Sequence, residues 1–99
     1  MTEPYQHFDG FEWDAVKSEA TLARRGFDFE HAARIFEHSY IESEDLRQDY
    51  GERRFVATGI VDGICYTVVW TRRAARRRII AARRASRKER CKFYEHGQN

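Results

Sequence analysis

The 99-residue sequence predicts an α+β domain, an antiparallel β-meander packed by two N-terminal helices and one C-terminal helix. Three observations carry that expectation. Helix-period apolar spacing is confined to the N-terminal part, β alternation flanks an Asp62-Gly63 pair in the middle, and a helix-start signature, Ser86-Arg87-Lys88-Glu89, stands near the end.

Residues 1–10 form a polar segment, expected to be a flexible tail, and residues 11–96 a single domain. Phe8, Phe11 and Trp13 alternate imperfectly and suggest a short first strand. Asp14 is placed to cap a helix over Ala15 to Arg25, rich in helix formers and stopped by Gly26. Asp28 caps a second helix, in which Phe29, Ala32, Ala33 and Phe36 recur at i, i+3, i+4 and i+7 with Ile35 beside them. The acidic stretch Glu42 to Glu52 has no period and reads as a loop or the approach to a strand.

From Arg54 the pattern turns to β. Strands are expected over Arg54 to Thr58 and Ile64 to Thr71, joined by a turn at Val61-Asp62-Gly63, because Asp-Gly suits the positive φ angles of a tight hairpin. Ile64, Tyr66, Val68 and Trp70 then share one face, and Cys65, Thr67, Val69 and Thr71 the other. Arg77 to Ala82 reads as a third meander strand, whose alternation separates Arg77 from Arg78. The Ser86–Glu89 capping box starts a last helix running to Glu95, with Cys91 and Tyr94 as its expected inward contacts. The stripe Phe29, Ala32, Ala33 and Phe36 is expected to pack on the face bearing Ile64, Tyr66, Val68 and Trp70, the chain's two strongest apolar surfaces.

Composition constrains function through charge. The net charge of +2 hides an asymmetry: residues 1–52 carry 13 acidic and 5 basic side chains, whereas residues 53–99 carry 3 acidic and 13 basic. Of 18 basic residues 15 are arginine, whose forked guanidinium pairs with two phosphate oxygens at once. A basic half of this kind steers polyanions to one surface, and nucleic acid is the expected partner. No apolar stretch approaches the ~20 residues of a membrane span, so a soluble, cytoplasmic protein with no membrane partner is expected. Cys65 and Cys91 are too far apart for a CxxC motif and read as free thiols. His7, His31, His38 and His96 lack metal-ligand spacing, and no metal or cofactor is expected; His31 is expected to face solvent. No Gly-rich phosphate loop, GxSxG elbow or paired-carboxylate motif is present.

Several segments together resemble a known family. Trp13-Asp14 with Lys17, Gly26-Phe27-Asp28-Phe29-Glu30 with Ala32, Glu52-Arg53-Arg54-Phe55 leading to Gly59, and the ending Arg78-Ile79-Ile80-Ala81-Ala82-Arg83-Arg84-Ala85-Ser86-Arg87-Lys88-Glu89 with Tyr94 occur in order over about Phe11 to Tyr94. In this the chain is similar to the BrnT toxins of bacterial type II toxin–antitoxin systems, related in fold to the RelE-like ribonucleases. The resemblance implies a RelE-like domain, an endoribonuclease that inhibits translation, and a hetero-oligomer with a cognate antitoxin of ribbon-helix-helix, DNA-binding (BrnA-like) type. Three positions depart from the family. Arg24-Arg25-Gly26 stands where it usually has Lys-His-Gly, Ala81 replaces its serine, and Thr21 its common asparagine.

Metal-independent RNA cleavage needs a base for the ribose 2′-hydroxyl, a proton donor for the leaving 5′-oxygen, and cations for the crowded phosphate. Arg25, Arg54 and Arg83 are the candidate cations, Lys17 a fourth, and Glu52 the candidate base. Glu52 has a second reading of equal weight, an ion pair with Arg53 or Arg54 that does no chemistry. Arg25 stays protonated and cannot replace a histidine base, which leaves a rival to the enzyme, a weakened homologue that binds RNA or antitoxin without turnover. Arg72, Arg73, Arg76, Arg78, Arg84 and Arg87 are candidate RNA contacts, against the blander reading of a solvated charged face. Tyr94 is a further candidate contact, whereas Trp70 and Tyr66, which could stack on bases, are assigned to the core.

Overall fold

The computed structural model describes residues 8–96. Its order is β1 (Phe11–Trp13), α1 (Ala15–Arg25), α2 (Phe29–Ala32) passing into a 3₁₀ segment (Ala33–Glu37), β2 (Tyr40–Glu44), β3 (Arg54–Val61), β4 (Ile64–Arg73), β5 (Arg76–Arg84) and α3 (Arg87–His96). The α+β class is as expected, with one strand more. The acidic stretch opens as strand β2, which pairs antiparallel with β3 through Tyr40↔Gly59 to Glu44↔Phe55. Of the expected tail, residues 1–7 lie outside the described residues; Phe8 packs edge-on to Trp70 at 5.4 Å between ring centroids.

The sheet runs β1-β5-β4-β3-β2 and is mixed, correcting the expected antiparallel sheet. β2 to β5 form an antiparallel meander, but β1 pairs parallel with β5, Phe11 opposite Arg77 and Trp13 opposite Ile79. The helices between β1 and β2 carry the chain across one whole face, so the two strands lie at opposite edges. That parallel pairing is set by the long crossover rather than by any local sequence signal.

Local chemistry explains the helix ends. The Asp14 carboxylate accepts from the N–H groups of Val16 (2.9 Å) and Lys17 (3.3 Å), and the Gly26 N–H closes α1 onto the Leu22 carbonyl at 2.9 Å. Ser18, buried on α1, accepts from the Phe29 N–H at 3.0 Å and pins α1 to α2. The second helix is shorter than its apolar period suggested, because it tightens into 3₁₀ winding after Ala32. The tighter turn puts Ile35 in the core, 0 % exposed, and leaves Phe36 partly buried. Gly59 makes this approach possible, since a Cβ there would stand 3.0 Å from Ile35 Cβ.

Phe29, Ala32, Ala33 and Ile35 pack with Tyr66, Val68 and Trp70, and Phe36 and Ile64 border the same cluster. The expected pairing of the two apolar surfaces therefore holds. His31 is half-buried and edge-on to Tyr66 at 5.6 Å, not solvent-facing as expected. A bulge in β5 sets Val69 opposite Ala81 but Trp70 opposite Ile79, so Ile79 and Ala82, three apart, both reach the core.

The opposite face carries Thr58 and Thr67, buried with their hydroxyls 2.8 Å apart, under α3. The capping box forms as expected: the Ser86 N–H donates to Glu89 at 2.8 Å, and the Glu89 N–H to Ser86 Oγ at 3.2 Å. The expected inward contacts of α3 are corrected. Cys91 and Tyr94 are exposed and Phe93, between them in sequence, is the buried residue.

Candidate functional site

The β3–β4–β5 meander gathers the arginines at one end of the sheet. Arg54 lies opposite Thr71 and Thr71 opposite Arg78, while Arg72 pairs with Arg77 and Arg73 with Arg76. Residues 52–54, 71–73 and 76–78 thus converge, and Glu52 joins them. Its carboxylate, on a side chain 28 % exposed, lies 3.3 Å from Arg54 Nε and 3.6 Å from Arg73 Nη2. An ion pair with Arg54 therefore exists, and Arg73 extends it to a bridge.

A knot built by the acidic stretch supports this group. Asp45, its side chain 2 % exposed, accepts from Arg47 Nε at 2.8 Å and Nη2 at 2.7 Å and from the Tyr50 hydroxyl at 3.1 Å. These charge-assisted bonds hold its carboxyl far below the usual carboxylate range despite burial. Tyr50 in turn offers its ring to Arg54, whose guanidinium carbon lies 4.2 Å from the centroid. The Asp45 N–H donates to the Arg54 carbonyl at 2.8 Å, so the loop is tied to the start of β3 beside Glu52.

A cleft of about 580 Å³ opens at the same end, lined by Phe8, Tyr40, Glu42, Glu52, Arg53, Phe55, Trp70, Thr71, Arg72 and Arg77. The Arg77 guanidinium stacks among Phe36 (4.2 Å), Phe8 (4.3 Å) and Trp70 (4.9 Å) and donates to the Tyr40 hydroxyl at 3.0 Å. Its Nε is buried without a hydrogen-bond partner. Arg78 points to the other face and donates to Glu12 at 3.0 Å, so alternation separates the two arginines as expected. Glu42 accepts from Trp70 Nε1 at 2.8 Å; burial raises its pKa, against the opposing pull of that hydrogen bond and of Arg77.

The remaining candidates lie elsewhere. Arg83 is opposite Thr67, four residues along β4 from Thr71 and so ~13 Å from the Arg54 row. It forms a forked pair with Glu89, Nη1 to Oε1 at 2.7 Å and Nη2 to Oε2 at 2.8 Å, and Thr67 donates to the same carboxylate at 3.0 Å. The Glu89 pKa falls to about 2, chiefly through the Arg83 bonds. Lys17 and Arg25 are exposed on α1, Arg84 is exposed at the end of β5 and Arg87 at the start of α3, and Tyr94 is 52 % exposed. Of the five candidate catalytic residues, only Glu52 and Arg54 meet. Arg72, Arg73, Arg76 and Arg78 join them at that end, and Arg84 and Arg87 do not.

The model of one protein family, described as the ribonuclease toxin BrnT of type II toxin–antitoxin systems, matches residues 13–89. The chain belongs to the BrnT family. No curated protein matches it. The matched span covers Lys17, Arg25, Glu52, Arg54 and Arg83 and stops before Tyr94. BrnT membership brings an RNA substrate and an antitoxin partner. Among the described residues no helix is long and apolar enough to cross a membrane, and no three His, Cys, Asp or Glu are grouped to hold a metal ion.

Sequence reasoning missed Asp45, Tyr50, Glu42 and Arg77 as parts of this region. Arg77 stood in the visible arginine run. Glu42 carries no local signal, because it meets Trp70 across 28 positions of sequence, whereas Asp45 and Tyr50 have partners within five residues but stand in a stretch without periodicity.

Proposed function

We propose that this BrnT chain is a metal-independent endoribonuclease of RelE-like fold that cuts RNA at the Glu52 end of the sheet and so inhibits translation in the cytoplasm. The observation that carries the reading is the Glu52 carboxylate held between Arg54 and Arg73 at the mouth of an arginine-lined cleft. Glu52 offers a carboxylate oxygen as the base for the 2′-hydroxyl, and the two cations beside it can take up the phosphate charge that develops. The 2′-oxygen attacks the adjacent phosphorus, Glu52 takes its proton, and the P–O5′ bond breaks. The leaving 5′-oxygen takes a proton from water, the hydroxide so formed takes the proton from Glu52 and restores its carboxylate, and the arginines stay protonated throughout.

Arg72, Arg76 and Arg78 extend the phosphate path from this centre, and Arg84, Arg87 and Tyr94 would meet RNA further along. Arg83 acts through Glu89, holding α3 on the sheet, and Lys17 and Arg25 provide long-range positive potential from α1. The partner is a ribbon-helix-helix, DNA-binding antitoxin whose carboxylates cover arginines in a hetero-oligomer.

The test is cleavage by antitoxin-free protein in excess EDTA. Products ending in a 2′,3′-cyclic phosphate, and none from a substrate lacking the 2′-hydroxyl at the cut, are expected. The second reading, a weakened homologue that only binds RNA or antitoxin, draws on Arg25, which makes no side-chain hydrogen bond or ion pair among the described residues. RNA bound but left intact would favour it.

A further inference from the structure

Phosphate binding leaves one part of the cleft unexplained. Glu42 is an exposed carboxylate on the wall of an arginine-lined recess, where it would repel phosphate, and its neighbours are aromatic. Phe55 lies in the same recess, 4.9 Å from the Trp70 ring, with the Arg53 guanidinium 5.2 Å from its centroid. The indole N–H of Trp70 fixes one Glu42 oxygen, and no other hydrogen bond to the carboxylate occurs among the described residues. An oriented acceptor beside a partly buried aromatic platform is the chemistry of base recognition, not of phosphate recognition.

The geometry points to a nucleobase pocket that selects guanine, with Glu42 accepting from its N1–H and N2 amine while the ring lies against Phe55. The inference rests on the ribonuclease reading. A carboxylate accepts and does not donate, so it matches an edge carrying two adjacent donors. Among the four RNA bases only guanine has one. Adenine and cytosine place an acceptor beside their amine, and uracil has a single N–H between two carbonyls. The two donors also stabilise the ionised form of a carboxyl that burial disfavours. Because Glu52 lines the same cleft, a guanine held by Glu42 would direct its own ribose and phosphate along that cleft toward the Glu52 carboxylate. Glu42 thus acts as a specificity residue and takes no part in proton transfer.

The experiment measures binding of the full chain to uncleavable 2′-fluoro oligonucleotides of uridine in which one central base is guanine, hypoxanthine, adenine, cytosine or uracil. Guanine should bind about tenfold tighter than adenine or cytosine, in the range for a bidentate base contact, with hypoxanthine, which lacks the N2 amine, in between. Glu42→Gln keeps an acceptor for Trp70 but loses the second acceptor. It should abolish the guanine preference, bind the all-uracil probe as well as the parent or slightly tighter because a negative charge leaves the recess, and melt like the parent, and Glu42→Asp should retain part of the preference. Equal affinities for all five bases in the parent, or a full guanine preference in folded Glu42→Gln, would overturn the pocket. Since these probes cannot be cut, the two readings fail separately. Guanine preference with no cleavage of the all-ribose counterpart sinks the ribonuclease reading alone, and cleavage without base preference sinks the pocket alone.

Discussion

Removing the Glu89 carboxylate should loosen α3 in a way that pH can reveal. Glu89 accepts from both Arg83 Nη groups, from the Thr67 hydroxyl and from the Ser86 N–H, and its pKa falls from 4.5 to about 2. At 1.36 kcal/mol per pK unit this is worth about 3 kcal/mol before solvent screening. The Glu89 and Arg83 side chains are 24 % and 42 % exposed, so a contribution of about 1–2 kcal/mol is the fair expectation at neutral pH. Because the folded-state pKa is depressed, the stabilisation is complete above about pH 4.5 and is lost as pH falls toward about 2, the larger part by roughly pH 3. Glu89→Gln keeps an oxygen for the Ser86 N–H, and so the cap, but loses the charge. Thermal unfolding followed by circular dichroism at pH 7 should show the variant lower by roughly 4–8 °C per kcal/mol lost, with the gap to the parent narrowing between pH 4.5 and 3. An unchanged melting temperature at pH 7, or a gap as wide at pH 3, would refute the reasoning.

Three further outcomes follow. Ile35→Ala, at a fully buried site against Gly59, should cost about 3–4 kcal/mol in urea unfolding and Phe36→Ala, at the rim, about 2–3 kcal/mol; a larger loss at Phe36 would show the 3₁₀ register to be wrong. Replacing Arg72 and Arg76 together with glutamine should weaken RNA binding and flatten its salt dependence by about two units of slope, whereas Arg34→Gln, on the 3₁₀ segment, should do neither; equal losses would mean nonspecific attraction. Arg25→His, restoring the residue the family usually has there, should leave the rate and pH profile of cleavage close to the parent's, because α1 holds this position away from Glu52; faster cleavage with a new pH dependence near neutrality would move proton transfer to the α1 end and contradict Glu52 as the base.

Much of the fold was legible because local chemistry decided it. Asp14, Gly26, the Asp62-Gly63 turn and the Ser86–Glu89 box each satisfy backbone groups within a few residues, and each forms as the sequence suggests. What escaped depends on distant partners. β2 looked like an acidic loop because Glu42 and Glu44 stand in a strand whose charges are absorbed by Trp70 and Arg53. The tightening after Ala32 answers the close approach at Gly59, which no periodicity contains. In α3 a single buried side chain, Phe93, makes the inward contact, too sparse a pattern to fix its register. The candidate site shows the same division. The arginines and Glu52 were visible as residue types, but which of them meet was set by the register of β3, β4 and β5.

Single-turnover cleavage by Glu52→Gln tests the central claim most directly. With protein in excess over a labelled RNA, the account predicts a rate at least about 100-fold below the parent, because the base is lost. RNA affinity should be unchanged or slightly tighter, since a negative charge leaves the arginine cluster and the other contacts stay. A Glu52→Gln protein that cuts at the parental rate, or one whose loss of activity is matched by an equal loss of binding, would contradict Glu52 as the base of the reaction.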